Sequence, residues 1–221
     1  IVSNGRIGVE TRKTVANPRG SNTPIGIESS TNVVIDTIRF DGWGTQNSGA
    51  DFGLIGISRS RDVNIKNSHF LGQGDGVTIA LGGGNHGVFV KNNRIDITET
   101  VAGPRGLISV NGRDEGSVSL STNTVILGNY FWANTGGTKN IICIGQCDDV
   151  VTESITGVTI DGNNYFNEVT NGHTFIKVNQ SQVFGTILMN NKVYRAGTYL
   201  TDSGTGTSNT TNDNFVNSVE Q

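Results

Sequence analysis

Three basic residues recur at one register of this chain. Arg105, Lys139 and His173 each stand three residues before an isoleucine, and each isoleucine opens a short alternating segment: Ile108-Ser-Val110, Ile142-Cys-Ile144 and Ile176-Lys-Val178. If these segments are neighbouring parallel strands, spaced about 4.8 Å apart, the three heads form a short basic column. Such a column suits the carboxylates of an acidic polymer. A base beside a neutralised carboxylate can also take the adjacent proton, which is the chemistry of elimination.

Acidic residues offer a different reaction. Asp51 and Asp75 approach two successive segments of the same kind, four residues before Ile55 and two before Val77. One strand step plus two residues separates them by ~8 Å. Two carboxylates at roughly 6.5–9.5 Å suit an inverting glycosidase. Asp114 and Asp148 each follow a segment by four residues. Were their loops to run in step they would lie about 5 Å apart, nearer the retaining distance. Two long connections, 111–123 and 145–157, carry Arg113, Asp114 and Glu115, and Asp148, Asp149 and Glu153. Loops on a rigid scaffold are where binding groups collect. Trp43 follows the turn Asp41-Gly42 and offers an aromatic platform, as do Tyr130, Trp132, Tyr194 and Tyr199.

A repeated unit must position these groups. Gly87-Val-Phe-Val-Lys-Asn-Asn-Arg-Ile95 returns in close form as Gly185-Thr-Ile-Leu-Met-Asn-Asn-Lys-Val193. Each alternates, turns at paired asparagines and closes on one apolar residue. Six such rungs place Val33, Ile35 and Phe40; Val63, Ile65 and Phe70; Val88, Val90 and Ile95; Thr124, Ile126 and Phe131; Val158, Ile160 and Tyr165; and Thr186, Leu188 and Val193. Their first members lie 30, 25, 36, 34 and 28 residues apart. Unequal periods around a constant strand pattern predict stacked coils joined by loops of variable length. A first strand precedes each rung: Ile25-Gly-Ile27, Ile55-Gly-Ile57, Val77-Thr-Ile79 and the three segments above. No helical period is sustained. The corner residues are Asn or Gly, which tolerate a left-handed bend, and stacked asparagine amides can form a hydrogen-bonded ladder.

Composition sets bounds. The chain has 221 residues, a size within one domain, and a formal net charge of −3. That charge makes no case for nucleic-acid or membrane binding. No apolar run is long enough to span a membrane, and no leader pattern is found. Cys143 and Cys147 are too few for a zinc site or a disulfide framework, and two free thiols are expected in preference to a local bridge between them. No cofactor motif is present, since Gly82-Gly-Gly84 has no accompanying P-loop lysine. The first coil has no amphipathic cap, so the chain is expected to belong to a longer polypeptide or an oligomer. Residues 203–221 are expected to form an irregular tail.

On these rungs and their Asn corners, over roughly residues 20–200, the chain resembles right-handed parallel β-helices of the pectate-lyase-like group. That group includes many phage tailspikes and capsule depolymerases. The resemblance implies an all-β solenoid of about seven coils. It also implies that the Ile-x-Ile series is the first strand of each coil, with its outer face bearing the sugar groove. It further implies a polysaccharide partner, a homotrimer, and residence in a virion tail or outside the cell. Gly74-Asp75-Gly-Val-Thr-Ile79 resembles a polygalacturonase strand-entry motif with one of its two aspartates. His173 stands in Gly-His-Thr, where that family has Gly-His-Gly. Hydrolysis by Asp51 and Asp75, elimination by Arg105, Lys139 and His173, and glycan binding without catalysis all remain open at this point.

Overall fold

The computed structural model describes residues 1–8, 25–41, 54–73, 77–98, 106–111, 113–114, 117–118, 120–145, 155–169, 173–179, 183–202, 210–212 and 214–217. These residues are all-β, with no helix among them. Two long sheets of parallel strands hold them, one of seven strands and one of fifteen. The arrangement is that of a β-helix or solenoid, in which each strand bonds to its counterpart one repeat away in sequence.

The seven-stranded sheet collects the first strands. Ile25–Glu28, Ile55–Ser58, Ile79–Leu81, Ile108–Val110, Asn140–Ile144, Thr174–Val178 and Thr198–Asp202 follow one another in sequence order. Leu200 pairs with Ile176, so the pattern continues past residue 196. The third member differs from expectation. Ile55 pairs with Ile79 and Ile57 with Leu81, so the strand is Ile79-Ala-Leu81 and not Val77-Thr-Ile79. A two-residue slip keeps the same face inward, so alternation alone cannot detect it. With this register Asp51 and Asp75 each stand four residues before their strands, which removes the offset behind the 8 Å separation.

The larger sheet has two rows that meet in Val34–Asp41, a strand bent at its middle. One row comprises Arg61–Lys66, His86–Lys91, Ser121–Leu127, Ile155–Asp161, Ile187–Met189 and Thr210–Asn212. The other comprises His69–Gln73, Arg94–Ile97, Tyr130–Ala133, Asn164–Asn167, Lys192–Tyr194 and Phe215–Asn217. Val2–Gly8 pairs along both halves of the bent strand. The last member of each row lies within 203–221, the range of the expected irregular tail, of which 203–209, 213 and 218–221 lie outside the described residues. Thr211 pairs with Leu188 and Val216 with Val193. The Thr/Asn-rich composition of 203–221 hides two strands around the corner residue Asn214.

Inward residues form columns. Ile35, Ile65, Val90, Ile126, Ile160 and Leu188 are buried in one, and Phe40, Phe70, Ile95, Phe131, Tyr165 and Val193 in another. Each buried aliphatic contributes about 1.5–3 kcal/mol. Phe40 stacks on Phe70 with centroids 4.7 Å apart. Leu54, Leu107, Ile141 and Phe175 are also fully buried, although alternation would place them outside. They stand at the entry to the first strands, Leu54 and Leu107 just before and Ile141 and Phe175 as second residues, and two successive residues face inward there.

The corner between the two rows divides labour between two positions. The first adopts positive φ: Asn4, Thr37, Asn67, Asn92, Gly128, Gly162 and Asn190. The second builds the amide ladder and is buried at Asn93, Asn129, Asn163 and Asn191. Asn129 Oδ1 accepts from Asn93 N at 3.0 Å, Asn163 Oδ1 from Asn129 N at 2.9 Å, Asn191 Oδ1 from Asn163 N at 3.1 Å, and Asn214 Oδ1 from Asn191 N at 3.1 Å. Ser68 joins the column, with its Oγ accepting from Ile38 N at 3.1 Å. A shorter ladder of Ser30, Ser60 and Asn85 ties the other corner. Buried backbone groups that bond no strand find partners in this way.

Cys143 is disulfide-bonded, which corrects the expectation of two free thiols. The sequence has one other cysteine, Cys147, which lies outside the described residues.

Candidate functional site

Alternation along the third strands decides which side chains meet solvent. Phe70, Ile95, Phe131, Tyr165 and Val193 point inward, so the residues on either side of each point out. One outward column runs Arg39, His69, Arg94, Tyr130, Asn164 and Lys192 in register. Beside it run Asp96, Trp132, Phe166 and Tyr194. Arg39, His69 and Arg94 therefore gather at one end of this wall, while aromatic rings, with Lys192 beside them, occupy the other.

At the cationic end the charges are paired. His69 Nε2 lies 2.8 Å from Asp96 Oδ2, and Arg94 Nε lies 2.7 Å from Asp96 Oδ1. Arg39 Nε lies 2.7 Å from Asp41 Oδ1. Asp96 is 4% exposed, and a carboxylate so enclosed needs such partners on both oxygens. Its bond raises the pKa of the Arg94 guanidinium above its ordinary value. Because Arg39 and Arg94 bond through Nε, their terminal nitrogens remain directed elsewhere. With Nε2 donating to Asp96, a neutral His69 ring carries its lone pair on Nδ1. The register shifts between Phe70 and Gln73, opposite Asp96. A bulge of this kind re-aims neighbouring side chains.

At the other end, Arg94 sits over the Tyr130 ring, 5.8 Å from its centroid. Phe166 and Tyr194 lie 6.4 Å apart at 55°. Tyr130 is 38% exposed, while Trp132, Phe166 and Tyr194 are half-buried and present their remaining ring surface outward. Rings with an apolar face and a polar edge suit sugar surfaces.

The first-strand face, where the resemblance places a sugar groove, is of different character. The column on its side away from the core is Gly26, Gly56, Ala80, Ser109, Cys143, Lys177 and Thr201, of which Ser109 and Cys143 are buried. Among the described residues it carries no aromatic side chain.

Of the expected basic column, Lys139 and His173 are in register but not on a surface. Asn140 pairs with Thr174, and Thr174 N donates to Lys139 O at 3.0 Å, so Lys139 and His173 are neighbours. Both are fully buried. They precede the first strand at the same inward bend that buries Ile141 and Phe175. Tyr165 OH lies 2.8 Å from His173 Nδ1 and accepts from Asn167 Nδ2 at 3.1 Å. Burial, then the Lys139 charge, lowers the His173 pKa to about 4. Burial pushes the Tyr165 phenol well above its usual range. This cluster is an interior polar contact, closed to a polymer.

Asp51, Asp75, Arg105, Trp43, Glu115, Asp148 and Asp149 lie outside the described residues. Arg113 and Asp114 form one strand of a short antiparallel pair with Ser117–Val118, inside the first long connection. Among the described residues no cluster of three His, Cys, Asp or Glu side chains suits a metal ion. The outward wall was legible in principle: its members flank the closing apolar residue of each rung, and aligning on that residue collects them. Comparisons of the chain with protein-family models, with curated proteins and with solved structures find no match.

Proposed function

We propose that the chain is a right-handed parallel β-helix of about seven coils, and that its third-strand wall binds and cleaves an extracellular or capsular polysaccharide. Right-handedness follows the strong bias of parallel crossovers. This is the activity that tailspike-like and secreted depolymerases perform, and the resemblance of the rungs to that group supports it. The observation that carries the reading is the continuous wall itself. His69 stands between Arg39 and Arg94 in register, and Tyr130, Trp132, Phe166 and Tyr194 extend the same face.

On this reading the aromatic end holds sugar rings by stacking. The terminal nitrogens of Arg39 and Arg94 hold a uronate carboxylate. His69 Nδ1 takes the proton next to that carboxylate, with Asp96 stabilising the imidazolium. The C–H electron pair becomes the new C=C bond. The glycosidic C–O bond breaks, and its oxygen leaves protonated by water.

The alternative is a glycan-binding segment without turnover. It is favoured by the engagement of both Asp96 oxygens in ion pairs, which suits a fixed surface as well as a catalyst. A digestion screen against bacterial capsular and extracellular polysaccharides separates the two. Growth of unsaturated-uronate absorbance, abolished by His69→Gln, supports elimination. Binding without products, weakened roughly tenfold by Trp132→Ala or Tyr194→Ala, supports recognition alone. Reducing ends without the absorbance would indicate hydrolysis by carboxylates such as Asp51 and Asp75. No binding to any glycan, or binding indifferent to both aromatic substitutions, overturns the wall as the site.

A further inference from the structure

The outer face of the second-strand row carries a different surface. Most solvent faces of a solenoid are polar, but here Phe89, Val125, Thr159 and Ile187 share one outward column, three of the four apolar. Leu127 and Met189 share the next. Leu127 and Ile187 are each 37% exposed. Exposed apolar side chains gathered on one sheet face and rimmed by charges mark an interaction surface.

The charges on this face are ordered. The outermost column reads Asp36, Lys66, Lys91, Leu127, Asp161 and Met189 in register. Lys66 is tied to Asp36 at 3.1 Å. Lys91 lies over Phe89, with its Nζ 5.9 Å from the ring centroid. Asp161 Oδ1 accepts from Asn190 Nδ2 at 2.9 Å, and Asp161 is half-buried. Lys91 and Asp161 therefore stand one strand to either side of Leu127, about 4.8 Å away in each direction.

That order is self-complementary under one operation. We propose that a second copy of this chain docks on this face with its coil order reversed, about a two-fold axis running along Ser121–Leu127. Leu127 then meets its own counterpart at the axis. Lys91 faces Asp161 of the other copy, and the reciprocal pair forms on the opposite side. A two-fold interface demands this reciprocity. A three-fold assembly with parallel coil stacks would instead bring residues of equal height together. It would gather Lys91 with Lys91 and Asp161 with Asp161, at a cost in like-charge repulsion. This surface is separate from the third-strand wall, so the inference stands whether or not that wall binds glycan.

The test is the mass and concentration dependence of the full chain by analytical ultracentrifugation, with charge reversals. A dimer is expected. Lys91→Glu or Asp161→Lys alone should each weaken it on the order of tenfold, while the double variant should restore it to within roughly threefold of the original. Leu127→Cys places a thiol at the axis and should give a covalent dimer on mild oxidation. Far-UV circular dichroism confirms that each variant keeps its strands. A monomer at every concentration, a trimer, a dimer indifferent to both reversals, or a Leu127→Cys chain that stays monomeric on oxidation would each overturn the proposal.

Discussion

Replacing Asn129 by alanine tests the amide ladder where it is most enclosed. Asn129 is fully buried. Its Oδ1 accepts from Asn93 N at 3.0 Å and from Asn93 Nδ2 at 3.1 Å. Its Nδ2 donates to Val90 O at 2.9 Å and to Asn163 Oδ1 at 3.0 Å. A neutral hydrogen bond contributes about 1 kcal/mol net, and a buried group left without a partner costs about 1–3 kcal/mol. Asn163 Oδ1 still accepts from Asn129 N at 2.9 Å, and Asn93 Nδ2 still reaches Ile65 O at 3.0 Å. The main loss is the partner of Asn93 N, together with the strand-to-corner tie through Val90 O. Asn129→Ala should therefore destabilise the chain by about 3–5 kcal/mol, a large part of a typical domain's stability. In urea unfolding followed by far-UV circular dichroism, the midpoint should fall by roughly 1–2 M. Asn129→Ser should recover about half of the loss, because Ser68 already fills this column with a hydroxyl that accepts from Ile38 N. Asn129→Asp should be at least as harmful as alanine at neutral pH, since it turns an acceptor toward Val90 O and Asn163 Oδ1. A loss below about 1 kcal/mol for alanine, or serine no better than alanine, would refute the ladder as a determinant of stability.

His173 should make stability depend on pH. Its folded pKa is about 4, whereas an unfolded histidine titrates near ~6.5. Between those values the unfolded chain binds the extra proton, so stability is fully present above about pH 6.5 and falls by about 3 kcal/mol as pH drops toward 4. His173→Gln should flatten that part of a melting-temperature profile. Lys139→Met removes the neighbouring positive charge, so the His173 titration, read by NMR, should move upward. At the corner, Gly162 has φ +62° with open space where a Cβ would stand. Gly162→Asn should cost less than about 0.5 kcal/mol, because Asn67, Asn92 and Asn190 hold the same conformation, while Gly162→Val should cost at least roughly 1–2 kcal/mol. Thermal melts of the pair measure the difference.

The amino-acid sequence by itself determined the six rungs, their corners and most of the inward set. Period-two alternation places Ile65, Val90 and Ile126 on one face whatever the chain does elsewhere, and paired Asn residues mark a bend that few other residues accept. Tertiary structure decided the register of Ile79-Ala-Leu81, because a slip of two residues preserves alternation and only pairing with Ile55 removes the ambiguity. It also decided the fate of Lys139 and His173. Their shared register follows from spacing, but whether the heads meet solvent depends on the direction in which the chain bends before each strand, and it bends inward. The pairing of His69 and Arg94 with Asp96 was likewise beyond sequence, since these groups come from coils more than twenty residues apart or from opposite ends of a short strand. Local pattern fixes which face a side chain takes; only the stacking of one coil on the next fixes what it faces.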